Sequence, residues 1–349
     1  MIGFGQQTYV PDNNFEDYLE THRENGAIVN IGSPLSMGNG IANDDSVTTA
    51  NIEWVMELDV SNQDIADLTG IEDFHYLENL YCDSNQITIL DLSQNINLRH
   101  VECSYSPNLT SVNVDSLIFL EHLFCQNNNH LTSLSMRYSG AAPMGSVSHS
   151  NINLSHNNLE TIDWFGADID DLFCKDNQLT SLSLLHVDFN GYLDCSKNLI
   201  TSLTIGASDI DGLICDSNFI TTLDISNSDI DEILICHNNP YLTNLNIQNG
   251  KNIEIHDLSI FNTPQLTCIK VDDSIYAANT WTVANGNIDP QHYFSNNCSG
   301  TTSIQEHTTN KELLKVTDLL GRETKGTKNE ILFYIYDDGT VEKKIVFIE

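Results

Sequence analysis

Apolar residues in the middle of the chain come in pairs with one polar residue between them. Leu80 and Cys82 form one such pair; Asn85 follows, then a second pair, Leu90 and Leu92. Alternation over so few positions predicts a short strand with one buried face. The unit then repeats. Leu172, Cys174 and Asn177 recur as Leu193, Cys195 and Asn198, and again as Leu213, Cys215 and Asn218. Cysteines at 82, 103, 125, 174, 195, 215, 236, 268 and 298 are separated by 21, 22, 49, 21, 20, 21, 32 and 30 residues. A period near 21 predicts a solenoid in which each coil buries its strand against the next. Ten coils can be counted, anchored at Val60, Cys82, Cys103, Cys125, Leu154, Cys174, Cys195, Cys215, Cys236 and Ile260.

The repeat L-x-L-x-x-N-x-L, with Cys at the second core position, resembles the leucine-rich repeat family over residues 52–271. The first coil, with Ile65, Leu68, Gly70 and Ile71, resembles internalin-like bacterial repeats. The resemblance implies a right-handed, mainly β solenoid with a parallel sheet and short non-helical or 3-10 returns. It also implies that the cysteine wall is the concave one. The Asn is expected to turn inward and bond backbone groups that the bend leaves unpaired. A second ladder, Leu182 with Leu184, Leu203 with Ile205, Leu223 with Ile225 and Leu245 with Ile247, predicts a second extended edge.

The ends must be closed. Residues 1–51 are expected to be a signal-peptide remnant and an N-terminal cap. Within them, 11–20 read as a short helix capped by Asp12 or Asn13, with Phe15, Tyr18 and Leu19 on one face. Residues 21–50 predict no clear element. Residues 272–300 are expected to cap the other end with Tyr276, Trp281, Tyr293 and Phe294, and Cys268 with Cys298 is the disulfide candidate. The loop 137–150 must bulge from its coil. Residues 301–349 read as a linker and a small β domain, with strand regions at 314–323, 332–336 and 340–348. That tail resembles the C-terminal sorting domain of the type IX secretion system of Bacteroidetes, through Asp318, Gly321, Arg322, Gly339, Lys343 and Lys344. It lacks the usual upstream Asn-Pro strand. The resemblance implies export to the outer-membrane surface or beyond.

Charge narrows the partners. The chain of 349 residues carries 49 acidic and 14 basic side chains, a formal net charge of −35. Nucleic acid and anionic membrane surfaces would be repelled. Seven of the basic residues lie after residue 300, so the acid belongs to the solenoid and its caps. No motif for a nucleophile, phosphate loop, EF-hand or zinc site occurs, so no enzyme or cofactor is expected. The ladder cysteines are expected to be mostly inert thiols, cross-rung disulfides or metal being the alternatives.

Two outward rows flank the buried strand position. Tyr81, Glu102, Phe124, Phe173, Asp194, Ile214 and Ile235 lie in one; His100, His122, Asp171, Tyr192 and Ile233 lie in the other. An aromatic and apolar wall ringed by acid suits a protein partner, with a glycan as the second choice. The alternative is that β-propensity alone placed these residues. Asp168, Asp170, Asp209, Asp211, Asp229 and Asp231 are expected just before successive strands, as calcium candidates or, the favoured reading, as solvated acidic turns. The expectation is a monomeric, secreted or cell-surface binding protein without membrane insertion. Its rival is an adhesion or surface-layer spacer with no specific ligand.

Overall fold

The computed structural model describes residues 6–137, 150–165, 168–185, 187–206, 209–298, 313–317, 322–324, 331–336 and 341–345. Residues 1–298 form one compact unit and 299–349 a second.

The first unit is a parallel β-solenoid of the leucine-rich repeat type. Its main wall is one ten-stranded sheet, and each of the ten anchors follows one of its strands. Coils 1 to 4 contribute Glu57–Asp59, Asn79–Tyr81, His100–Glu102 and His122–Phe124. Coils 5 to 10 contribute Ser150–Asn153, Asp168–Phe173, Asp188–Asp194, Asp209–Ile214, Asp229–Ile235 and Asp257–Ser259. The penultimate residue of each strand and the anchor two places later are buried. Leu193 and Cys195 are both 0% exposed. Stacking such pairs coil upon coil makes one continuous core, because no single coil can hide its apolar edge alone.

The return edge also extends, but it breaks into three separate parallel sheets. Ile89–Asp91 through Thr161–Phe165 make a four-stranded one. Ser181–Ser183 and Ser202–Thr204 make a pair. Thr222–Asp224 through Tyr293–Ser295 make the third. A short 3-10 turn, Ile71–Asp73, lies in the first coil.

Asparagine holds the bend after the main wall. The Asn198 side-chain amide donates to the carbonyls of Cys174 (3.0 Å) and Cys195 (3.1 Å), and its Oδ1 accepts from Leu179 N (3.0 Å). Asn85, Asn128, Asn177, Asn218 and Asn239 repeat the two carbonyl contacts. In the third coil Ser106 takes the place, accepting from Asn85 N at 3.3 Å. Two residues after each anchor the backbone is left-handed, with φ between 53° and 62°, and no glycine is used. Lys197 and Ser217 are examples. In that conformation the N–H reaches the next coil, as Lys197 N does to Asp216 O at 3.0 Å, so a ladder bond is kept through the bend.

The caps follow from their apolar faces. Helix α1 (Asn13–Thr21) is capped by Asp12, which accepts from the amides of Asn14 and Phe15, and it buries Phe15, Tyr18 and Leu19. Residues 21–50 do contain order: Ser46–Thr48 pairs antiparallel with Gln7–Tyr9, and α2 (Thr49–Ile52) follows. A three-residue strand with no repeat to reinforce it leaves too little alternation for the sequence pattern to register. At the far end α3 (Ser274–Thr280) and Tyr293–Ser295 close the core. Trp281 is buried, and Tyr276 and Phe294 pack against the core. Tyr293, expected among the covering rings, is instead exposed at 57%, because it sits on the outward face of its strand. Cys268 and Cys298 are joined, with Cα atoms 5.8 Å apart.

In the second unit Leu313–Thr317, Ile331–Tyr336 and Val341–Ile345 form an antiparallel sheet. Asp318, Gly321 and Gly339 lie outside the described residues, as does most of the 137–150 loop. Among the described residues no helix is long and apolar enough to cross a membrane.

Candidate binding wall

The outward rows do not form one continuous stripe. In coils 2 to 4, rings collect. Tyr81 lies 5.1 Å from His100, His100 lies 5.3 Å from His122 and 5.6 Å from Phe124, and His122 stacks on Phe124 at 5.9 Å. Glu102 Oε1 accepts from His100 Nε2 at 2.8 Å. Strand register explains the grouping: His100 is opposite His122, and Glu102 opposite Phe124. Rungs only about 4.8 Å apart let rings of this size touch. For the same reason these side chains are partly buried.

Coil 5 interrupts the row with Asn151 and Asn153, each paired across both neighbours. Phe124 and Phe173 are therefore two rungs apart, roughly 10 Å. Beyond the gap lies a second patch. Phe173 is 36% exposed, Ile214 is opposite Ile235, and Gly212 is opposite Ile233. Gly212 makes room for its neighbour: a Cβ there would meet the Tyr192 ring at 2.7 Å. The Tyr192 ring lies across that gap, and its hydroxyl donates to Glu232, two coils on. This bond to a carboxylate raises the Tyr192 phenol to about 12.

Two acids of these rows are tied up locally. Asp171 Oδ1 accepts from Tyr192 N at 2.9 Å, and Asp194 Oδ1 from Ser196 N at 3.0 Å. Asp170, Asp209, Asp211, Asp229 and Asp231 do not precede their strands; they form the strands' first halves. The strands run longer there because the bulge at Gly191 (φ 139°) and register shifts absorb the extra residues. Burial, then the charges of Glu232, Asp231, Asp209 and Asp171, raise the Asp211 carboxyl. Lys251 bridges the end of this row, 3.8 Å from Asp229, 3.9 Å from Asp231 and 3.0 Å from Glu254. Among the described residues no group of three or more His, Cys, Asp or Glu is placed to hold a metal ion, so the calcium candidates gain no site. The Asp168 carboxylate is outside the described side chains.

Sequence reasoning missed four participants. Asp83 sits beside Glu102; burial, then its hydrogen bond and repulsion with Glu102, lift it to about 6 against the pull of the Ser104 amide. Glu232 shares the strand offset of Asp170 and Asp211, a signal present in the repeat alignment. Trp54 and Tyr76, stacked at 4.3 Å and well exposed, occupy matching positions before the first two strands.

Cys103 and Cys125, for which inert thiols are the favoured expectation and a cross-rung disulfide an alternative, are joined across adjacent coils with Cα atoms 4.9 Å apart. Parallel rungs put equivalent residues at disulfide distance. Cys82, Cys174, Cys195, Cys215 and Cys236 are free and buried.

The geometry thus defines a leucine-rich repeat solenoid with a two-patch wall. Similar folds among solved structures include the functional domain of InlJ from Listeria monocytogenes, which includes a cysteine ladder. It is 16% identical, with 98% of each chain covered and a TM-score of 0.26. Internalin InlF of Listeria monocytogenes is 16% identical over 82% of this chain and 91% of that one, TM-score 0.31. A leucine-rich repeat protein of Leptospira interrogans is 14% identical over 63% and 74%, TM-score 0.22. At these scores the likeness adds nothing to the strand register and the asparagine ladder, which define the fold by themselves. No protein-family model matches the chain, and no curated protein does.

Proposed function

We propose that this is a secreted or cell-surface binding protein that recognises a protein partner through the ten-stranded wall, and that it is not an enzyme. The observation that carries this reading is the pair of ring and aliphatic patches on an otherwise acidic sheet face. Partly buried aromatic centres with a polar rim are the usual energetic anchors of interfaces. Tyr81, His100, His122 and Phe124 would anchor one end of the partner. Phe173, Tyr192, Ile214, Ile233 and Ile235 would anchor the other, with Glu102, Asp171 and Asp194 at the rim. A protein spans both patches more readily than a glycan does, because they lie about two rungs apart. The tail, with Arg322, Lys343 and Lys344, is proposed to sort the chain through type IX secretion machinery; the unit's antiparallel sheet is compatible with that role.

The test is affinity capture from the organism's natural surroundings with the full chain, a Phe124→Ala/Phe173→Ala variant and an Ile89→Ser variant. Ile89 is exposed on the return edge. A partner retained by wild type and Ile89→Ser but lost from the double variant is the expected result. Equal capture by all three favours the spacer reading.

A further inference from the structure

The buried thiols take no part in the wall, since they point into the core behind it. Cys174, Cys195, Cys215 and Cys236 occupy one position in four consecutive coils. Their backbone bonds repeat from rung to rung: Cys174 N to Asp194 O at 2.8 Å, Cys195 N to Ile214 O at 2.9 Å and Cys215 N to Ile235 O at 2.8 Å. The same bond, Cys103 N to Phe124 O at 2.8 Å, joins the two coils that already carry a cross-rung disulfide. Parallel neighbours sit about 4.7–4.9 Å apart, inside the Cα range of roughly 4.4–6.8 Å that a disulfide accepts.

We infer that this four-thiol run is an oxidation site. It closes as two cross-coil disulfides, Cys174–Cys195 and Cys215–Cys236, with a small-molecule disulfide such as oxidised glutathione as the oxidant. In each pair one thiol loses its proton, and the thiolate attacks an oxidant sulfur and expels one reduced thiol. The neighbouring thiolate then attacks the mixed disulfide and expels the second. Each pair gives up two electrons and two protons, and the oxidant leaves as two thiols.

Two observations choose this pairing. Joining Cys195 to Cys215 would strand Cys174 and Cys236, whereas the outer pairs use all four. The strand register also opposes Asp168 to Asp188 and Asp209 to Asp229, but Asn190 to Asp209 between them. Like charges directly opposite weaken a sheet, so the Cys215–Cys236 bond welds the rung where Asp209 faces Asp229. Cys82 stays reduced, because its rung neighbour Cys103 is already bonded. Burial pushes the ladder thiols up, Cys236 to about 12, and only the thiolate attacks. The reaction therefore runs when coils open transiently and not in the closed core.

The experiment incubates the full chain with oxidised glutathione in mild denaturant, restores native buffer, and then counts thiols by alkylation of the unfolded protein. The count should fall from five to one, with an intact mass lower by about 4 Da and linked peptides at 174–195 and 215–236. A Cys174→Ser/Cys215→Ser variant leaves Cys195 and Cys236 two rungs apart and should hold three thiols. An unchanged count, a Cys195–Cys215 link, or stable glutathione adducts alone would overturn the inference. If the double variant fails to fold by far-ultraviolet circular dichroism, the wild-type peptide map decides.

Discussion

Coils 2 to 4 and coils 6 to 9 share a core and a bend, yet their outward faces differ. The first group has three-residue strands whose rings lean on one another. The second has six- and seven-residue strands led by aspartates, with one lysine closing the row. The inward positions answer to packing and cannot vary much. The outward ones answer only to their neighbours one rung away, so each half has its own chemistry on a common frame. A solenoid separates the two demands by alternation along the strand.

The comparison can be broken first at the frame. Asn128→Ala and Asn198→Ala each strand the buried backbone groups that the amide joins, and each should cost about 3 kcal/mol. Equal losses in urea unfolding would show that the two halves share one frame; unequal losses would deny it. Such an array need not unfold in two states, so spectroscopic and proteolytic transitions should be compared.

A smaller effect separates the halves by pH. Asp83 in the ring half is raised to about 6 in the fold, above an unfolded value near 3.9. The folded chain therefore binds more protons between those values. Its stabilising contribution is complete below about pH 4 and is lost as pH rises through about 6. Asp83 is only partly buried, so screening limits the change to on the order of 1 kcal/mol. Asp83→Asn should flatten that stretch of the stability profile while keeping an acceptor for Ser104 N. A profile as steep as wild type would assign the dependence elsewhere.

The rings themselves come next. His100→Ala removes three ring contacts and the bond to Glu102, and should cost about 1 kcal/mol. The aspartate half should be unaffected in local hydrogen exchange. Smallest of all is the tyrosine clamp. Glu232→Gln removes the carboxylate that holds the Tyr192 proton, so the phenol should fall from about 12 toward the ordinary tyrosine value with little change in stability. Ultraviolet titration reads this directly, and an unmoved transition would mean the bond does not form in solution.

Much of this was legible from residue order. Ten anchors, the Asn positions, the helix capped at Asp12 or Asn13 and the Cys268–Cys298 candidate all follow from periodicity and local rules. Other features were not. The left-handed residues after each anchor carry no glycine to mark them; Lys197 and Ser217 look ordinary in sequence. The aspartates looked like turn residues because polar runs usually are. Only pairing with the next coil shows that they are strand, since their neighbours complete the ladder.

The sequence by itself determined the coil count, the buried face and the bend, because a period of 21 residues and strict alternation leave one way to hide the apolar side chains. Tertiary structure decided what the outward face is. Which rings touch, where the row breaks at Asn151 and Asn153, that Tyr192 crosses Gly212 to reach Glu232, and that Cys103 bonds Cys125 all depend on register between coils. Residues some twenty to forty positions apart meet there at rung spacing, and nothing local in the chain records which will face which.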